Sequence, residues 1–141
     1  MDRDGYIYRV NREIREFLNF IASNYSDDYQ VDSDVLEKYI RGFMDIYFSR
    51  EPGGENYASI GWLCDRYECA VEMDIAIPRK HADKLKRLMN DREIRSYRCV
   101  YQTTHKHDSI HHLHYICYPV NPLDLKHLIS ATFKRIEKAK K

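Results

Sequence analysis

Residues 69–77 read CAVEMDIAI, and their alternation limits the possible folds more than any other stretch. Val71, Met73, Ile75 and Ile77 fall on one side of an extended chain, Glu72 and Asp74 on the other. A strand of this kind needs one covered and one wetted face, as an antiparallel sheet layered on one side provides. Pro78 follows and suits the first turn of a helix. RKHADKLKRLMN supplies that helix, with Ala82, Leu85, Leu88 and Met89 on one stripe. Two tyrosine- and histidine-rich strands come next, RSYRCVYQT and IHHLHYICY, joined by a turn at THKHDS. Upstream, the turn EPGGEN precedes the short strand ASIGWLC, and DRYE turns it into CAVEMDIAI. Strand pairs separated by helices point to an α+β domain with an antiparallel sheet covered on one face.

Three more helices complete the expectation. Val10, Ile14, Phe17, Leu18 and Ile21 place the first at about 11–23, with Asn11 as its cap. A polar connector, SNYSDDYQVDSD, leads to a second at about 34–47. Its apolar positions, Val35, Leu36, Tyr39, Ile40, Phe43 and Met44, recur as adjacent pairs four residues apart. The last is capped by Asn121, opens at Pro122, and buries Leu125, Leu128, Ile129 and Phe133. The basic tail from Lys134 to Lys141 is expected to fray. Residues 1–32 then form an N-terminal helix and connector, and 33–141 a single domain; 141 residues suit one hydrophobic core.

Charge and cysteine usage bound the function. Net charge is +1, so any contact with nucleic acid has to come from local charge separation. No apolar run approaches the roughly 20 residues that span a bilayer. The start, MDRDGYIYRV, lacks the apolar segment of a signal peptide, which leads to an intracellular, cytoplasmic expectation. Cys64, Cys69, Cys99 and Cys117 form no CxxC pair, which excludes a zinc ribbon. Buried free thiols are expected, with a disulfide left open.

The run IRGFMDIYF, together with the order α-β-β-α-β-β-α, resembles the LAGLIDADG family of homing endonucleases and maturases. The likeness covers about 35–133, including the lysine-rich middle helix. It implies a curved four-stranded antiparallel sheet laid into a DNA major groove, preceded here by one extra helix. It also implies two motif helices packed closely through small residues. Ile40 to Phe48 align with the nine motif positions. Gly42 matches the packing glycine, and Asp45 the sixth position. The eighth position, where the family places its metal-binding acid, is Tyr47. A neutral phenol does not replace a carboxylate for a hard ion, so the resemblance implies DNA binding with cleavage lost. Should cleavage persist, Asp45 is the candidate catalytic carboxylate and Mg²⁺ the cofactor. Apart from the family, Val35, Tyr39, Gly42 and Ile46 share one helical face. With Phe43 they form the expected interface of a homodimer.

Two surfaces are candidates for double-stranded DNA. One is the middle helix, with Arg79, Lys80, Lys84, Lys86 and Arg87. The other is the open sheet face, where Arg98, Gln102, Lys106, His112 and His114 are expected to meet phosphates and base edges. Glu72 and Asp74 oppose that second choice electrostatically. His112 and His114 share a strand face at a spacing that lets both reach one metal. They also resemble the His-hydrophobic-His motif of HUH nucleases, with Glu72 or Asp74 as the acid. Three functions therefore stand at this stage. The first is a DNA-binding regulator without cleavage. The second is an active metal-dependent endonuclease, through Asp45 or the histidines. The third is a protein-binding module using the tyrosine-rich sheet.

Overall fold

The alternating strands do form one antiparallel sheet, but it contains six of them rather than four. The computed structural model describes residues 3–36, 38–51, 54–107 and 109–141. In chain order the elements are α1 (Arg3–Ser23), β1 (Tyr29–Leu36), β2 (Tyr39–Glu51), β3 (Gly54–Cys64), β4 (Cys69–Pro78), α2 (Arg79–Met89), α3 (Arg92–Ser96), β5 (Cys99–His107), β6 (Ile110–Val120) and α4 (Leu125–Ala139). The sheet order is β1-β2-β3-β4-β6-β5. The class is α+β, as expected. Pro52 and Gly53 of the expected EPGGEN turn, and Asp108 of THKHDS, lie outside the described residues.

The largest correction concerns 34–47. Residues 34–36 are the end of β1 and 39–47 most of β2, not a helix; Glu37 lies outside the described residues. The nine positions aligned with the LAGLIDADG motif therefore run as a strand. Their alternation explains this. Ile40, Met44 and Ile46 are buried, while Arg41 and Phe43 are exposed. Pairing reinforces the pattern, with Ile40 opposite Cys64, Met44 opposite Ile60 and Ile46 opposite Ala58. The run carries period two as well as period four, and cross-strand partners on both sides select the first.

Gly42 pairs with Ser33 on one side and Trp62 on the other. A Cβ there would lie 2.6 Å from Trp62 Cζ2 and 2.7 Å from the Asp32 carbonyl oxygen. The glycine thus makes room for an indole inside the domain, not for a second helix. The five residues expected to form a dimer interface consequently do not share a face. Ile46 is in the core, Gly42 lies beneath Trp62, and Val35 packs half-buried against the core. Tyr39 and Phe43 point to the opposite, open side.

The helices cover one sheet face. Val10, Ile14, Leu18 and Ala22 of α1 are buried at successive helical turns, and Leu125, Leu128, Ile129, Phe133 and Ile136 do the same in α4. They meet the inward residues of the strands. Tyr25 stacks on Phe133 with ring centroids 5.0 Å apart, and Thr132 Oγ1 lies 3.6 Å from Met73 Sδ. Arg135 ties α4 to the α2–α3 corner. Its guanidinium donates to Asp91 at 2.5 and 3.0 Å and to the Leu88 carbonyl at 3.2 Å. Asp91 also caps α3 by accepting from Ile94 N at 2.9 Å. That short helix occupies the start of the strand expected at RSYRCVYQT, so Arg98 lies in the turn before β5. α1 begins before residue 11, and the tail continues α4 to Ala139 instead of fraying.

The cysteines pair as Cys64–Cys69 and Cys99–Cys117, which corrects the expectation of free thiols. Both pairs follow from strand register: Cys64 faces Cys69 across the β3–β4 hairpin, and Cys99 faces Cys117 across β5–β6. Disulfides are uncommon in cytosolic proteins, so the pairing weighs against the cytoplasmic placement. Among the described residues no helix is long and apolar enough to cross a membrane.

Candidate functional site

Strand register distributes the polar residues over two unlike surfaces. The open sheet face carries Asp32 on β1, Asp45 on β2, Glu72 and Asp74 on β4, and His112 and His114 on β6. Asp74 sits between the two imidazoles, with Oδ2 3.4 Å from His112 Nδ1 and Oδ1 3.4 Å from His114 Nε2. The Tyr57 hydroxyl donates to Asp74 Oδ2 at 3.3 Å. Burial, reinforced by the Asp74 charge, pushes the Tyr57 phenol up to about 12. Tyr47 tilts against Tyr57, and His105 meets His114 edge to face.

The acid expected beside the histidines is therefore Asp74 and not Glu72, which pairs with Ile116 one row away. It bridges the imidazoles instead of converging with them. Among the described residues no group of three His, Cys, Asp or Glu side chains is gathered to hold a metal ion. Asp45 pairs with Ser59, which in turn pairs with Asp74. That puts Asp45 three strands from the histidines of β6, roughly 14 Å at ordinary strand spacing, so the three expected metal ligands are not brought together.

The same open face is apolar at its other end. Leu36, Tyr39, Phe43, Leu63, Val100 and Ile116 are all more than a third exposed there. Arg41 on β2 is 3.7 Å from Asp34. Asp32, Asp45, Glu72 and Asp74 place carboxylates on this face, which disfavours a phosphate backbone there.

The helical side differs. Between α2 and the β5–β6 pair lies a cleft of about 1270 Å³. β5 is an edge strand, and the start of α2 leaves the ends of β5 and β6 uncovered. Arg79, Lys80, Lys86 and Lys106 line the cleft, with Asp83 as the one carboxylate among its described lining residues. Thr103, Thr104, Ser109 and His111 add hydrogen-bonding groups. Position 106 reaches this wall because Lys106 pairs with His111, on the helix-covered side of β6. Lys86 Nζ lies 4.2 Å from the centre of the Tyr101 ring, whose hydroxyl bonds Thr104 Oγ1.

The five residues expected to contact DNA on one sheet face are thus separated. His112 and His114 are on the open face, Gln102 is at a bulge between Tyr101 and Thr103, Arg98 is in a turn, and Lys106 is in the cleft. Of the five α2 cations, Arg79, Lys80 and Lys86 line the cleft, Arg87 borders the space beside it, and Lys84 reaches toward the Lys141 carbonyl at 3.5 Å. Thr103, Thr104, Ser109 and His111 were not foreseen as site residues. THKHDS reads as a turn, whereas β5 continues to His107 and carries Thr103 and Thr104 along the cleft wall, with Ser109 in the turn after it and His111 on β6.

No family model, curated protein or solved structure matches this chain.

Proposed function

We propose that this protein binds nucleic acid by its sugar–phosphate backbone, in the cleft between α2 and β5–β6. One observation carries the reading: four fixed cations and several hydroxyls converge on a recess where Asp83 is the one carboxylate among the described residues. Lysine, arginine and threonine are common phosphate partners, and each neutralised phosphate releases condensed counterions. The near-neutral total charge is no obstacle, because Arg79, Lys80, Lys86 and Lys106 concentrate positive charge locally at the cleft.

The proposal retains DNA as the partner and moves the contact from the sheet face to the helical side. It does not rest on the LAGLIDADG resemblance, whose motif residues lie in β2. It assigns no cleavage to Asp45, His112 or His114, and no homodimer.

Fluorescence anisotropy with a labelled duplex and a strand of the same length, over a range of salt, tests it. The parent protein is expected to bind with affinity falling steeply as salt rises. Lys80→Glu with Lys106→Glu should abolish binding or flatten the log–log slope by about 0.9 per lost duplex contact. Equal binding by parent and variant at every salt concentration would refute the proposal.

A further inference from the structure

A second recess of about 430 Å³ opens beside the cleft and shares Asp83, Lys86 and Tyr101 with it. Its size lies in the range of small-molecule sites, about 300–1,000 Å³. Its walls differ in character from the cationic cleft. Met89, Cys99, Tyr101 and Tyr115 supply apolar and aromatic surface, and Asn90 an amide. The Tyr115 ring is edge to face with Tyr101, and its hydroxyl is buried without a hydrogen-bond partner among the described residues. A buried polar group left in that state is costly, and a ligand that satisfies it gains accordingly.

Resting on the phosphate-binding reading of the cleft, we infer that this recess holds a nucleobase, so that the ligand is single-stranded nucleic acid. Lys86 links the two compartments, because its ammonium now lies over the Tyr101 ring. Withdrawal of that ammonium to a phosphate in the cleft frees the ring face for a base. The Tyr115 hydroxyl and the Asn90 amide then meet the polar edge of the base. Bases in a duplex are stacked and paired and do not enter a lateral recess, whereas those of a single strand are free to stack on aromatic side chains.

The experiment compares three labelled probes of equal length: a single strand, its duplex, and a strand whose sugars lack bases. The single strand is expected to bind more tightly than the other two. Tyr115→Phe should weaken only the base-bearing strand, by about three- to tenfold, and leave the salt slope unchanged. The free variant should melt at the same temperature as the parent or higher, because an unpartnered hydroxyl has been removed. Equal affinity for the normal and the base-free strand, or no effect of Tyr115→Phe, would overturn the inference while leaving the cleft reading intact. Base-dependent binding that survives Lys80→Glu with Lys106→Glu would instead remove the reading on which the inference rests.

Discussion

At the scale of single residues, Gly42 is held by what lies above it. Trp62 covers the position so closely that a methyl group has no space. Gly42→Ala is expected to destabilise the fold by about 1–3 kcal/mol through overpacking, measured by urea denaturation. Pairing it with Trp62→Leu should recover part of the loss, because the smaller side chain vacates the site; strictly additive effects would show that the indole is not the cause. Asp91 offers a second test. Burial works against its ionised form, but the Ile94 N–H and the Arg135 guanidinium outweigh burial and hold its carboxyl below the usual range. A depressed folded value stabilises the protein above the ordinary aspartate range, and this contribution is lost as pH falls through that value. Asp91→Ala should cost about 1–2 kcal/mol at neutral pH and flatten the acid limb of the stability profile. Tyr57 has the opposite sign. Its folded value of about 12 exceeds the ordinary 10.0, so its contribution is complete below pH 10 and disappears as pH rises through 12. Asp74→Asn should lower the phenol's value in an ultraviolet titration, yet leave it above 10, since burial is the larger cause.

At the scale of elements, legibility depended on how many neighbours decide a segment. CAVEMDIAI and RKHADKLKRLMN each show one clean period, and both fold as read. IHHLHYICY alternates as a strand does and forms one, with Leu113, Tyr115 and Cys117 on its inward side. Residues 39–48 fit two periods equally, so sequence alone leaves the choice to partners that are remote in the chain. Aromatic and β-branched side chains at Tyr39, Ile40, Phe43, Ile46, Tyr47 and Phe48 already favour a strand. The two cystines belong to this scale as well, since each staples one hairpin. Denatured, unreduced protein should show no titratable thiol. Replacing Cys99 and Cys117 by alanine should lower stability by up to about 3 kcal/mol for a loop of this length. Full thiol titration without reductant would contradict the pairing.

At the scale of the whole molecule, strand order decides where charged side chains gather. Acidic and apolar side chains occupy the open face of the sheet, and cations gather where α2 meets β5 and β6. The individual candidates could be named from sequence: the cations of α2, Lys106, and the outward pair His112 and His114. Their grouping could not, because it depends on the strand order β4-β6-β5 and on β5 outlasting its expected turn. Tyr57 cannot be singled out from sequence for the same reason, as its contact with Asp74 exists only through the β3–β4 register.

The most direct test is to map bound nucleic acid by amide chemical-shift changes during titration with a short single strand. The account predicts that changes concentrate at Arg79, Lys80, Lys86, Thr104, Lys106 and His111, with little at Phe43, Glu72, His112 or His114. Changes centred on the latter four, with the α2 and β5 signals unmoved, would contradict it.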